Sequence, residues 1–157
     1  MKRQLRLYNV LFPIWMLFLW PSVWLILLPG NFLIDSLVLL LAMTALGYAG
    51  RKAVWKSAIA KVWGFGFAAD LVGAGITLGL MLLLDWLVPQ WNTFLIPGGQ
   101  LLVLPGIVIA GVLIYLLNRR FSFRRTALTE EQIHRLSLAL AVFTAPYTML
   151  IPSEWIY

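Results

Sequence analysis

The chain of 157 residues has no cysteine and little charge, and each scarcity removes a class of protein. Without cysteine there is no disulfide, no thiol nucleophile and no cysteine-ligated metal. Charged residues make up 11% of the chain, whereas soluble domains carry about a quarter. Because 62% of the residues are hydrophobic and the mean hydropathy is +0.90, we expect lipid to be the solvent for much of the surface.

Catalytic signatures are also missing from the sequence. It contains no GxSxG, no HExxH, no phosphate-binding loop and no dinucleotide fingerprint. The single histidine, His134, is weak evidence for a metal site. We therefore expect no enzymatic activity, no cofactor and no metal.

What the sequence does contain is five apolar segments. They cover residues 7–28, 32–48, 62–88, 101–117 and 130–151, and a helix needs roughly 20 residues to cross a membrane. Pro29, Gly30 and Asn31 predict a turn between the first two segments. Thr129, followed three residues later by Gln132, predicts a capped start for the last helix. The predicted fold is therefore all-α, a single transmembrane domain of five helices.

The basic residues predict how these helices are oriented. All twelve Lys and Arg residues lie before the first segment, between the second and third, or between the fourth and fifth. Positive charge favours the cytoplasmic side, so we expect an N-terminus inside, a C-terminus outside and a multi-pass protein of the plasma (inner) membrane. We therefore expect the net charge of +6 to serve contact with the membrane surface and not the binding of nucleic acid. The tryptophans near the predicted inner boundary are Trp55 and Trp63.

Residues 51–62 form an amphipathic stretch within the second basic group. Val54, Ala58 and Val62 recur at helical spacing, while Lys52 and Lys56 lie largely on the other side. This pattern predicts a short helix in the cytoplasmic headgroup region. An ordinary basic loop is the alternative.

The most informative single residue is Asp70, inside the third apolar segment. Placing Asp at the centre of a membrane helix costs about 2.5–3.5 kcal/mol, so this side chain should face protein or water. Gly66, Gly73 and Thr77 lie on the same helical face and make a narrow stripe of small and polar residues. The fourth segment offers small residues that could pack against such a stripe, namely Gly106, Ala110 and Gly111.

Two interpretations of Asp70 are open. In the first, Asp70 lines a path and binds a proton, a cation or a basic substrate group. In the second, it is a structural residue that pairs with Arg51, Arg119 or Arg120, or accepts a hydrogen bond from a threonine. Two further carboxylates, Asp35 and Asp85, are expected near the outer ends of the second and third segments, in contact with water. The alternative is an acidic vestibule for a cation, to which Glu154 contributes.

The ends of the second and fourth segments resemble each other. At an offset of 68 positions, three basic residues and one aromatic residue align with residues of the same kind: Arg51 with Arg119, Lys52 with Arg120, Trp55 with Phe123, and Lys56 with Arg124. This predicts a parallel repeat of two-span units followed by a fifth helix. The alternative is that any helix leaving the membrane inward acquires basic and aromatic residues.

Residues 116–124, LLNRRFSFR, also resemble the motif that ends each half of GtrA-like proteins. These are small four-helix membrane proteins linked to the flipping of polyprenyl-linked sugars. The resemblance implies an inner-boundary motif at Asn118, Arg119 and Phe123, beside which a lipid phosphate would sit. A fifth segment, Asp70, and Gly50 where the family has asparagine depart from the pattern.

Three functions are compatible with these features. The leading hypothesis is a transporter or channel for a small solute or ion, with a path along Asp70, Gly66, Gly73 and Thr77. The second is a lipid-linked role, as a flippase or its accessory subunit, in which cytoplasmic side chains contact an anionic headgroup: Arg119, Arg120, Arg124, Arg125 and Asn118. The third is a structural membrane subunit. In each case the expected partners are anionic lipid at the cytoplasmic face and either further copies of the chain or a partner membrane subunit.

Overall fold

The computed structural model describes residues 21–90 and 99–150. These residues form four α-helices, which are α1 (Pro21–Ala45), α2 (Arg51–Leu87), α3 (Leu104–Leu117) and α4 (Glu130–Phe143). Short 3-10 turns precede α3 and follow α4, and a π-helical turn, Asn118–Ser122, extends α3. No strand occurs in the two described ranges, and the predicted all-α class is confirmed for them.

Three helices are long and apolar enough to cross a membrane: Leu27–Ala45, Arg51–Leu87 and Leu101–Ser122. This composition supports a membrane location. The first predicted segment, 7–28, lies mostly outside the described residues, as do the last residue of the fifth segment and Glu154. The five-span arrangement therefore stays a prediction.

The predicted turn at residues 29–31 is wrong, because these residues continue α1 without a break. Pro, Gly and Asn favour a turn in water, but membrane helices tolerate proline where neighbouring groups satisfy the freed backbone. Gly30 has no neighbouring atom within 4 Å of the position that a Cβ would take. Immediately before Pro29, the carbonyl of Leu28 accepts a hydrogen bond of 3.1 Å from the indole of Trp63. Leu28 of α1 therefore lies beside Trp63 of α2.

The amphipathic segment 51–62 is not a separate helix in the headgroup region. It forms the first turns of α2, whose 37 residues span about 55 Å at about 1.5 Å per residue. Its apolar face is buried inside the protein: Val54, Ala58 and Val62 belong to a core cluster that includes Met43 of α1 and Phe123 after α3. The stretch contains no Gly or Pro to interrupt the helix, so the helix continues from the basic end into the apolar part.

The fifth predicted segment is shorter as a helix than the sequence indicates. The capping box is confirmed, since the backbone N–H of Gln132 donates to Thr129 Oγ1 at 3.3 Å and that of Thr129 donates to Gln132 Oε1 at 3.0 Å. The helix α4 then ends at Phe143 after 14 residues, about 21 Å at about 1.5 Å per residue. Pro146 follows three residues later, and the residue before a proline disfavours helical geometry. A helix of this length is shorter than a hydrocarbon core of about 30 Å.

The predicted repeat is not reflected in local structure. Residues 51–54 begin the helix α2, whereas the aligned residues 119–122 lie in the π-helical turn that extends α3. The aligned aromatic residues also differ, because Phe123 is fully buried while Trp55 is partly exposed. Basic and aromatic residues at these two places therefore share a composition without sharing a backbone conformation.

Candidate functional site

The close contact between α2 and α3 is built from the small residues of the predicted stripe. A Cβ on Gly73 would lie 2.5 Å from the carbonyl oxygen of Gly106 and 2.9 Å from Cβ of Ala110. A Cβ on Gly106 would collide with Oγ1 of Thr77 and with the carbonyl of Gly73. The Thr77 hydroxyl is itself satisfied, since it donates to the Gly73 carbonyl at 3.0 Å. Two backbones therefore meet where only glycine fits.

This contact bears on two predicted sets of residues. Gly106 and Ala110 do pack against the stripe, as predicted, whereas Gly111 faces the carbonyl of Ala141 on α4. Gly73 and Thr77, predicted along a path, lie in the helix contact and do not line the cavity described next.

A cavity of about 260 Å³ lies between α1, α2 and the chain that follows α4. Its walls are mostly apolar. The polar side chains that line it are Asn31, Asp35, Asp70, Thr144, Tyr147 and Thr148. Of the predicted path residues, Asp70 and Gly66 belong to this lining.

Asp35 is the buried member of the acidic pair, with 5% of its surface exposed. It projects from α1 onto Gly66 of α2, and a Cβ on Gly66 would lie 3.3 Å from Asp35 Oδ2. Thr144 lines the same cavity, and its hydroxyl donates to the Leu140 carbonyl at 2.8 Å. Asn31, one turn earlier on α1, lines the same cavity. The missing side chain of Gly66 thus leaves the space in which the carboxylate sits.

Asp70 follows Gly66 by one turn of α2 and faces the same cavity. Its Oδ1 atom is buried and has no hydrogen-bond partner in the structure. Asp35 of α1 lines the same cavity. The two carboxylates therefore share one site, contributed by two helices.

Among the described residues, no positive charge compensates this pair. The lining contributed by residues 21–90 and 99–150 contains no Lys, Arg or His, and the one ion pair in these ranges joins Arg135 to Glu131 on α4. The predicted structural partners of Asp70 bind elsewhere: Arg51 donates to Thr44 Oγ1 and Arg119 to the Tyr115 hydroxyl, each at 2.7 Å. Burying charge without a partner is costly, so the site gains free energy by taking up a proton or a cation.

Asp35 is the residue that sequence reasoning placed wrongly. The supposed turn at 29–31 put it at the outer boundary in contact with water, whereas it is buried in the middle of a continuous α1. Sequence offered one signal, a second carboxylate inside an apolar helix, but no indication that α1 and α2 bring the two together. Asp85, near the C-terminal end of α2, is partly buried and does not line the cavity.

The residues predicted to hold an anionic headgroup separate into three environments. Asn118 is fully buried; its Nδ2 donates to the Ile114 carbonyl at 2.9 Å and its Oδ1 accepts from Ser122 at 2.6 Å. Arg119 packs on Tyr115, whose hydroxyl also contacts His134 Nδ1 at 2.8 Å.

The other three arginines lie near the Phe121 ring. Arg120 lies over this ring at 5.8 Å, and Arg124 and Arg125 line a second pocket together with Phe121. The structure therefore brings Arg124 and Arg125 together but keeps Asn118 and Arg119 apart from them.

Within the described part of the chain, no group of three or more His, Cys, Asp or Glu residues could hold a metal ion. Comparison with known proteins adds nothing to the geometry, since no family model, curated protein or solved structure matches this chain.

Proposed function

We propose that the protein is a small membrane transporter or channel for protons or a small cation, with Asp35 and Asp70 as its binding pair. The observation that carries this proposal is the acidic pair: two carboxylates from different helices lie in one cavity, and none of the described residues that line it is a cation. A positively charged species relieves the repulsion between them. An anion would be repelled by both.

The position of the pair along α2 fits a membrane-embedded binding site. Asp70 lies nine residues after Lys61, the last cation of α2, and fifteen before Asp85. These intervals correspond to about 14 Å and about 22 Å at about 1.5 Å per residue. Both distances bury the site well inside a hydrocarbon core of about 30 Å, and transporter sites commonly lie near the midplane.

The size and donors of the cavity limit what it can hold. Its volume of about 260 Å³ corresponds to a small cation with several waters, since each water takes about 30 Å³ of liquid. Oxygen atoms of Asn31 and Thr144 stand beside the carboxylates in the lining, and oxygen donors suit hard cations. Protons and small inorganic cations therefore fit better than a large organic solute.

The same cavity speaks against the flipping of a lipid-linked sugar. A polyprenyl or phospholipid phosphate passing between α1 and α2 would meet two carboxylates and no cation. A purely structural subunit would carry no ion flux, so a flux measurement distinguishes it from a transporter or channel.

We also propose the orientation of the helices. The basic start of α2 and the basic segment after α3 lie at the same end, since Lys61 Nζ donates to the carbonyl of Phe121 at 3.4 Å. Positive charge favours the cytoplasm, so this end is placed inside, in a multi-pass protein of the plasma (inner) membrane. Association of copies stays part of the proposal, supported by the outward faces of Gly75 and Gly79, which have no neighbouring atom within 4 Å.

Flux through purified protein in liposomes tests the proposed function. An ion gradient is applied, and proton movement is followed with an internal pH dye while K⁺ and Na⁺ are followed separately. We expect the parent protein to conduct at least one of these ions. Asp70→Asn and Asp35→Asn should each abolish the flux, because each removes one charge from the pair and keeps the shape of the side chain.

Asp85→Asn is the matched control, since it removes a carboxylate from the same helix but outside the cavity. It should conduct as the parent does. Normal flux in folded Asp35→Asn and Asp70→Asn proteins would overturn the proposal, and so would an absence of any flux in the parent.

A further inference from the structure

We propose that the pocket at the basic end of α2 and α3 binds the phosphate of an anionic phospholipid. This pocket has a volume of about 450 Å³ and is lined by Lys61, Phe65, Phe121, Arg124 and Arg125. It is separate from the acidic cavity and shares no lining residue with it. The inference therefore goes beyond ion movement and stands independently of it.

The pocket is assembled from two distant parts of the chain. Lys61 and Phe65 lie one turn apart on α2, and Phe121 lies in the π-helical turn after α3. Lys61 Nζ donates to the Phe121 carbonyl at 3.4 Å, and the rings of Phe65 and Phe121 are 5.8 Å apart between centroids. A polar contact and a ring contact thus hold the two walls together.

The backbone that carries the two arginines is anchored by buried side chains. Phe123 is fully buried immediately before Arg124. After Arg125, the backbone N–H and hydroxyl of Thr126 both donate to the Phe123 carbonyl, at 3.0 Å and 2.6 Å. Both arginine side chains are exposed. They are therefore presented to an incoming ligand from a fixed turn.

The charges of the pocket are all of one sign. Three cations face it, and no carboxylate is among its lining residues. Within the described ranges the one ion pair is on α4, between Glu131 and Arg135, so neither Arg124 nor Arg125 is paired with a carboxylate. An anion with several oxygens relieves this repulsion, and guanidinium groups bind phosphate oxygens through two parallel hydrogen bonds.

The two phenylalanines favour a lipid over a free phosphate ion. Phe65 follows Lys61 by one turn in the direction of the apolar part of α2, so its ring lies about 6 Å deeper along the helix. Phe121 faces the same ring. A free ion gains nothing from an apolar wall, whereas the glycerol and upper acyl carbons of a phospholipid pack against it. Basic pockets of this kind at the cytoplasmic side recognise lipid headgroups.

Lipid-dependent stability in nanodiscs tests the assignment. The parent protein is placed in phosphatidylcholine discs with and without phosphatidylglycerol, and thermal unfolding and retained lipid by native mass spectrometry are measured. We expect phosphatidylglycerol to raise the melting temperature and to be retained. In Lys61→Gln/Arg124→Gln, binding of phosphatidylglycerol should weaken on the order of tenfold, because two charge-assisted contacts are lost.

The matched control is Lys52→Gln/Lys56→Gln, which also removes two cations from the basic end but none from the pocket. It should retain the parent's response. Equal loss in both double variants, or no loss in either, would overturn the pocket as the binding site. Should Lys61→Gln/Arg124→Gln fail to fold, Arg125→Glu provides the test, because it places a carboxylate in the pocket from an exposed position.

Soluble glycerol 3-phosphate in phosphatidylcholine discs distinguishes the two sources of phosphate. It should stabilise the parent far less than phosphatidylglycerol does. Equal stabilisation by the soluble ligand, lost in the pocket variant, would overturn the lipid assignment in favour of a free phosphate compound.

Discussion

Asp35 and Asp70 show how a single residue can oppose the stability of the fold that holds it. Asp35 is buried and Oδ1 of Asp70 lacks a hydrogen-bond partner, so both carry a desolvation cost. Both side chains line one cavity, so their like charges add to this cost. In the proposed function, the pair is retained because it binds the transported ion, at a cost in stability.

This conflict predicts that Asp70→Asn is more stable than the parent protein. The amide keeps the shape of the side chain, removes the repulsion from Asp35 and adds a donor, so we expect the free energy of unfolding to rise by about 1–2 kcal/mol. Thermal unfolding in detergent at neutral pH measures the change against the parent protein. A clearly less stable Asp70→Asn protein would instead show that the carboxylate holds the structure together.

At the scale of the element, one face of α2 contributes both to the acidic cavity and to the contact with α3. Gly66 and Asp70 face the cavity, whereas Gly73 and Thr77, one to two turns later, meet Gly106 of α3. The small residues in the second half bring the backbones together without side chains between them, as is typical of membrane helix pairs. The contact with α3 therefore holds the second half of α2, next to the part of α2 that lines the acidic cavity.

The contact predicts opposite effects for two glycine substitutions on α2. Gly73→Ala would put a Cβ 2.5 Å from the Gly106 carbonyl and should destabilise the protein by about 1–3 kcal/mol through overpacking. Gly64→Ala has open space and should stabilise the helix by about 0.5–1 kcal/mol, because alanine loses less backbone entropy. Unfolding curves of the two variants measure both signs. Equal stability of Gly73→Ala and the parent would show that α2 and α3 do not approach this closely.

At the scale of the whole molecule, the proposed orientation depends on where the basic residues lie. The helix α2 is about 55 Å long at about 1.5 Å per residue, which exceeds a hydrocarbon core of about 30 Å. Lys61, near its basic first turns, meets the arginines after α3 at one end of the protein. The proposed orientation and the proposed lipid contact therefore depend on the same basic surface.

The absence of cysteine from the chain makes the orientation directly testable. Single variants Lys52→Cys, Ala127→Cys and Gln90→Cys place a thiol at exposed positions. A membrane-impermeant maleimide should label Gln90→Cys in intact cells, and should label the other two only after permeabilisation. Labelling of Lys52→Cys from outside would contradict the proposed orientation, and labelling of all three from one side would contradict a membrane crossing by α2.

The sequence by itself predicted the features that depend on residues close together along the chain. The capping box at Thr129 and Gln132 and the shared face of Gly66, Asp70, Gly73 and Thr77 follow from helical periodicity, and the structure confirms them. The turn predicted at residues 29–31 failed because turn propensity measured in water does not end an apolar helix whose neighbours satisfy its backbone.

Tertiary packing decided which helices meet, and with that the candidate sites. Periodicity gives the face on which Asp70 lies but contains no information on which other helix brings Asp35 to it, or on the pairing of Lys61 with Arg124 and Arg125. Those contacts join residues 35 and about 60 positions apart along the chain, beyond the reach of local sequence patterns. The sequence by itself determined a basic, all-helical membrane chain with a carboxylate in the apolar part of a helix. Only the packed structure made that carboxylate half of an acidic pair.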